Sequence, residues 1–170
     1  MSRPPWQARL AEMLDSGKAI ARVAIVGVGH ELRGDDAAGL VVVHGLQKVP
    51  SDRERWLVID AGSVPENQTG PLRRFKPDIV LLIDAAQMNE IPGTVKWLPW
   101  GKIGGVSALT HALPLHILAR YLSDELGCKV ALLCVQPAQD TIGAPLSSVV
   151  RQATDAIKDA LAQEVSHGDT

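Results

Sequence analysis

Three residues with metal-ligand chemistry, Asp36, Asp84 and His111, each stand just beyond a hydrophobic run or at the mouth of a helix. In an open α/β sheet such positions lie at the carboxyl edge of the strands, where residues distant in sequence converge on one crevice. Two carboxylates and an imidazole form an oxygen-rich set suited to Zn, Ni, Mn or Fe, with positions left open for water or a partner's ligand. A metal-dependent site is the leading expectation.

Each residue also has a plainer role available. Asp35 and Asp36 open a helix expected over residues 35–48, where a carboxylate caps free N–H groups and benefits from the helix dipole. One cap needs one of them, and adjacent helical side chains point about 100° apart, so if Asp35 caps, Asp36 can face the crevice. Asp84 alone fits an ordinary strand-end aspartate accepting loop N–H groups. His111 precedes a helix, where the dipole disfavours a cation and keeps the imidazole neutral enough to ligate. Of the other histidines, His30 lies in a Gly turn and can approach the same crevice, and His44 falls on an apolar helix face and is expected in the core. His116 reads as an exposed helix residue and His167 as a tail residue. Asp60 is a spare carboxylate whose expected role is to brace a loop.

The elements that must position these residues read as β and α in alternation. Trp6, Leu10, Met13 and Leu14 describe an accessory amphipathic helix over 6–16. ARVAIVGVG at 21–29 is a strand ending in glycines, WLVIDAG at 56–62 a second, and DIVLLIDAA at 78–86 a third whose apolar run stops at Asp84. The prolines and glycine between the last two allow only a short helix. IPGTVKWLPW at 91–100 suggests a turn at Pro92-Gly93 and a brief, antiparallel strand returning beside the third. The Gly-rich loop GKIGGVSAL leads into a helix with the stripe Leu113, Ile117, Leu118, Tyr121, Leu122 and Leu126, C-capped by Gly127. KVALLCVQ is the last strand, and Val149, Val150, Ala153, Ile157, Ala160 and Leu161 mark a closing helix over 146–165. Only SHGDT at the end reads as disordered. The order predicts one three-layer α/β/α domain over residues 1–170, with a twisted, mostly parallel sheet of about five strands and residues 1–20 as an N-terminal accessory.

Composition narrows the class. With 170 residues, 46% of them hydrophobic, the chain can bury one good core. A formal net charge of -2 gives no electrostatic reason to expect nucleic acid or an anionic membrane. Cys128 and Cys134 would stand roughly 20 Å apart along a strand, too far to bridge, and read as buried thiols. The first residues lack a signal-peptide h-region and no apolar run spans a bilayer, so a cytoplasmic location is expected. Leu32 occupies the third glycine position of G-x-G-x-x-G, and no P-loop is present, so no nucleotide cofactor is expected. Gly27 and Gly29 suit a tight strand-to-helix turn. Nucleophile-elbow, H-E-x-x-H and Cys-His signatures are absent.

Five segments, VGVGHELRGDDAAG, IDAGSVPEN, LLIDAAQMNEIPGTV, THALPLHIL and VQPAQDTIGAPLS, follow one another in the order of the motifs of the hydrogenase maturation endopeptidases. The chain resembles that family over about residues 22–163, most closely the branch that processes the large subunit of hydrogenase 3, and the resemblance implies a phosphorylase/hydrolase-like core over 22–163. The resemblance implies an endopeptidase that removes a short C-terminal extension from a NiFe-hydrogenase large-subunit precursor after nickel insertion. It also implies that Asp36, Asp84 and His111 bind the metal, nickel by preference and carried by the substrate. Where the family's Gly turn continues with Asn, this chain has His30. Gly27, Gly29, His30, Gly104 and Gly105 are the expected substrate-binding positions. Metal-assisted hydrolysis with Asp36 or Asp84 as the water-activating base is the expected chemistry, in a monomer. The competing reading is a non-catalytic nickel-site binding or chaperone module using the same residues.

Overall fold

A computed structural model describes residues 2–15, 17, 20–99 and 112–167. Five strands, β1 (Val23–Gly27), β2 (Trp56–Asp60), β3 (Ile79–Ala85), β4 (Val95–Pro99) and β5 (Lys129–Val135), form one sheet in the order β2-β1-β3-β5-β4. The first four of that order run parallel and β4 is antiparallel to β5. Every residue of β1 and β3 is buried, as continuous Val/Ile/Leu runs require when helices cover both faces.

Around the sheet lie α1 (Pro5–Leu14), α2 (Ala38–Gln47), α3 (Thr69–Phe75), α4 (Ala112–Glu125) and α5 (Ser148–His167). One core joins Ile25, Ile79, Leu81 and Ile83 to α1, α2 and α5 through Leu10, Val42, Val43 and Ile157. The other joins Ala24, Val80, Leu82 and Leu132 to α3 and α4 through Leu72, Leu115, Leu118 and Leu122. The period-2 alternation of the strands sends successive side chains into these two layers.

Several expectations need correction. β4 pairs with β5 and not with β3. β5 makes seven consecutive register pairs with β3 and, apolar on both faces, takes the interior place. β4 carries Lys96 and Pro99, residues suited to an unpaired margin, and Lys96 pairs there with Glu90. The closing helix runs through His167, so Ser166 and His167 are helical. Ile117 and Val149, expected on buried stripes, are 54% and 40% exposed, because Leu115, Ala119 and Val150 occupy the facing positions instead. His116 is half-buried. Gly127 does adopt φ +66°, the left-handed conformation that ends α4. Both cysteines are free and buried.

Candidate functional site

The segment expected to open a helix at Asp35 forms a 3-10 turn, Gly34–Ala37, before α2 begins at Ala38. Close backbone packing sets this turn over the carboxyl edge of the sheet. A Cβ added at Gly39 would come within 2.2 Å of the Ile83 carbonyl, and one at Gly27 within 2.4 Å of the Gly39 carbonyl. α2 can therefore rest directly on the ends of β1 and β3. At Gly29, φ is +155° and a Cβ would meet the Asp36 carbonyl at 2.0 Å, so only glycine lets the chain leaving β1 pass beneath Asp36. Gly27 and Gly29 are both buried, and this packing accounts for them.

The two aspartates then diverge. Asp35 does not cap either helical segment. It is fully buried, and its carboxylate accepts from the N–H groups of Ala138, Gln139 and Ser147 and from the Ser147 hydroxyl. Asp36 is 3% exposed, and among the described residues neither of its carboxylate oxygens has a hydrogen-bond partner. It lines a cavity of about 170 Å³ together with Ala85, Gln87, Pro137, Ala138, Gln139 and Asp140.

Asp84 is fully buried at the end of β3 and accepts the Ala85 N–H at 2.8 Å. Strand alternation puts it on the face of Val80 and Leu82, the face covered by α3 and α4, and it is not part of the cavity wall that Asp36 shares with Ala85. His111, Gly104 and Gly105 lie outside the described residues. Among the described residues no group of three or more His, Cys, Asp or Glu side chains is placed to hold a metal. The structure thus brings Asp36 and Asp84 to one sheet edge from two sides.

The other polar candidates are less central. His30 is exposed and its Nδ1 accepts the Leu32 N–H at 3.2 Å, which leaves the proton of a neutral ring on Nε2. His44 is not in the core as expected. It is 43% exposed and its Nε2 lies 2.5 Å from Asp60 Oδ2, because the helix face holding it turns toward the end of β2. Asp60 braces its loop as anticipated, accepting the Gly62 N–H at 2.9 Å.

Individual residue chemistry did not single out the loop over 136–147, which supplies four of the cavity residues. Gln136, 3% exposed, accepts the Met88 and Glu90 N–H groups and donates to Gln87 Oε1, tying the loop after β3 to the end of β5. The available signal was the segment VQPAQDTIGAPLS, recognisable as a motif but unreadable as a set of contacts.

This arrangement of an acidic turn, a buried strand-end aspartate and a braced loop coincides with a family match. The model of the hydrogenase maturation protease family, HycI, matches residues 40–164. The chain belongs to this family. The hydrogenase 3 maturation protease of Escherichia coli K12 is 31% identical over 133 residues, 76% of this chain and 82% of that one. Among solved structures, the NiFe hydrogenase maturation protease HycI from Thermococcus kodakarensis KOD1 superposes with a TM-score of 0.84 at 26% identity, covering 93% of this chain and 99% of that one. A hydrogenase 3 maturation protease structure gives a TM-score of 0.73 at 27% identity, covering 89% and 93%. As a hydrogenase maturation protease the chain is a peptide-bond hydrolase, and its mostly parallel five-stranded sheet is that of its relatives. Among the described residues no helix is long and apolar enough to cross a membrane.

Proposed function

We propose that this maturation protease removes the C-terminal extension of a NiFe-hydrogenase large-subunit precursor after nickel insertion, and that Asp36, Asp84 and His111 recognise the metal. The observation that carries this reading is the Asp36 carboxylate, buried beside a cavity with both oxygens unpartnered among the described residues. A buried carboxylate without a partner is costly, and the cost is offset when a cation arrives. Buried oxygen donors fit a divalent ion. Nickel held by the precursor meets that requirement as part of the substrate, so docking is favoured only once the metal is in place.

Polarisation of the scissile carbonyl is the chemistry a bound metal supplies. Asp36 binds the loaded precursor and, with no competing hydrogen bond among the described residues, takes a proton from the attacking water as the water oxygen adds to the scissile carbonyl, then returns it to the amide nitrogen as the C–N bond breaks and the extension leaves. Asp84 contributes the second carboxylate from β3, and His111 the imidazole before α4. His30 and the glycine-rich loop bearing Gly104 and Gly105 contact the substrate.

The test is the mass of a large subunit co-expressed with the wild-type protein or with Asp36→Asn, in medium with and without nickel. Loss of the extension only with the wild-type protein and nickel is expected. A nickel-loaded subunit that binds but keeps its extension would instead make the protein a nickel-site chaperone. Equal cleavage of nickel-free and nickel-loaded precursor would remove the metal checkpoint.

A further inference from the structure

Asp35 has no assigned part in the reaction, yet its carboxylate, adjacent to Asp36, accepts four hydrogen bonds. Its Oδ1 accepts the Ser147 N–H at 2.7 Å, and its Oδ2 accepts the Ala138 N–H at 2.8 Å, the Gln139 N–H at 3.2 Å and the Ser147 hydroxyl at 2.8 Å. Its own N–H donates to the Gln139 carbonyl at 3.0 Å. The donors come from a segment more than a hundred residues further along the chain, the segment that builds one wall of the cavity. One further hydrogen bond and one close approach join the same pair of loops. Gly143 N–H donates to the Leu32 carbonyl at 2.7 Å, and a Cβ at Gly34 would strike the Gln139 carboxamide at 2.4 Å.

We infer that Asp35 is the positioning residue of this site: it clamps the 137–147 wall to the acidic turn and draws the wall's N–H donors onto itself, leaving Asp36 free of them. Hydrogen bonds to an ionised acceptor are roughly twice as strong as neutral ones, so four of them hold the loop in one place. Ala138 and Gln139 line the cavity with Asp36, and their N–H groups, like that of Ser147, donate to Asp35. Two adjacent buried carboxylates are thereby given opposite tasks, one saturated to fix geometry and one left bare for substrate. The Gly-Asp-Asp order is then a functional arrangement and not a redundant helix cap. This inference rests on the reading that the Asp36 cavity is where the precursor is cleaved.

The test compares wild type, Asp35→Asn, Ser147→Ala and the double variant, by steady-state cleavage of a nickel-loaded large-subunit precursor and by amide hydrogen exchange. Asn keeps the shape of Asp35 but loses the charge and sets an NH2 against incoming donors. Exchange at Ala138, Gln139 and Ser147 should quicken about tenfold or more while β1, β3 and β5 keep their protection. Cleavage should show kcat lowered about tenfold or more with KM within about threefold, the mark of lost positioning and not of lost binding. Ser147→Ala, a milder change that keeps the fold, should lower kcat less, and the double variant should match Asp35→Asn because the contact is already broken. Unchanged exchange in Asp35→Asn, or quickened exchange with unaltered kcat, would overturn the inference. Protection lost equally in all strands would also overturn it, by making Asp35 a general fold determinant. Failure of the wild type to cleave would sink the proposed function, whereas the exchange measurement judges the clamp independently.

Discussion

Asp84 and Cys134 are register partners at the carboxyl ends of β3 and β5, side by side on the face that α3 and α4 cover. Burial first, and the Asp84 charge second, push the Cys134 thiol well above 9.0, so it stays a neutral S–H packed beside the carboxylate. Asp36 reaches the same edge from the α2 side, next to Ala85. The strand ends are therefore what the two carboxylates share, and α4, which His111 immediately precedes, covers the Asp84 side.

The Asp36 variant should separate activity from stability. Removing a buried carboxylate that has no hydrogen-bond partner among the described residues relieves a desolvation penalty, so Asp36→Asn should unfold at equal or higher denaturant concentration, with a gain of up to about 1–2 kcal/mol. Precursor processing should be lost at the same time. A loss of stability in urea titrations would mean that Asp36 is satisfied within the fold.

Metal binding should depend on all three proposed ligands. In calorimetric titration with nickel, alanine at Asp36, Asp84 or His111 should weaken binding without unfolding the protein, and the isolated wild type should bind only weakly because the precursor completes the coordination. Unchanged affinity in all three variants would place the metal elsewhere.

Cys128 predicts an alkaline effect. Its thiol, which donates to the Pro77 carbonyl, is raised from 9.0 to about 11 by burial and then by the Asp78 charge. A raised pKa gives stability that is complete below the unfolded value and is lost as pH climbs through the folded one. Melting temperature should fall between about pH 9 and pH 11, and Cys128→Ala should show a shallower fall over that window. Parallel profiles would show that the thiol does not carry the effect.

Gly39→Ala tests the packing that seats the acidic turn. The added methyl would lie 2.2 Å from the Ile83 carbonyl and 2.5 Å from the Val28 carbonyl, so α2 must move off the sheet at a cost of about 1–3 kcal/mol. Since Asp36 rides on the segment leading into α2, cleavage should decline even where the protein remains folded. A variant as stable as wild type in thermal melts would show that α2 has room to spare.

Much of this protein was legible without coordinates, because apolar runs and turn residues act locally. Val/Ile/Leu runs bounded by glycines are buried parallel strands in any context, and Asp84 at the end of such a run had to stand at a strand end. Gly127 after an amphipathic stripe had to end α4. The family, too, was readable from five motifs in order. Asp36 was legible as the carboxylate turned toward the crevice, but what Asp35 does was not: the sequence suggested a helix cap, whereas its carboxylate is taken up by Ala138, Gln139 and Ser147, brought up by the fold from far along the chain. The same holds for β4, whose neighbour was decided by β5 outcompeting it for the doubly buried place beside β3, and for His44, which left the core because Asp60 stood within reach. Local sequence sets what each segment can be, but contacts between distant segments compete for the same donors and the same buried positions, and only the assembled fold resolves that competition.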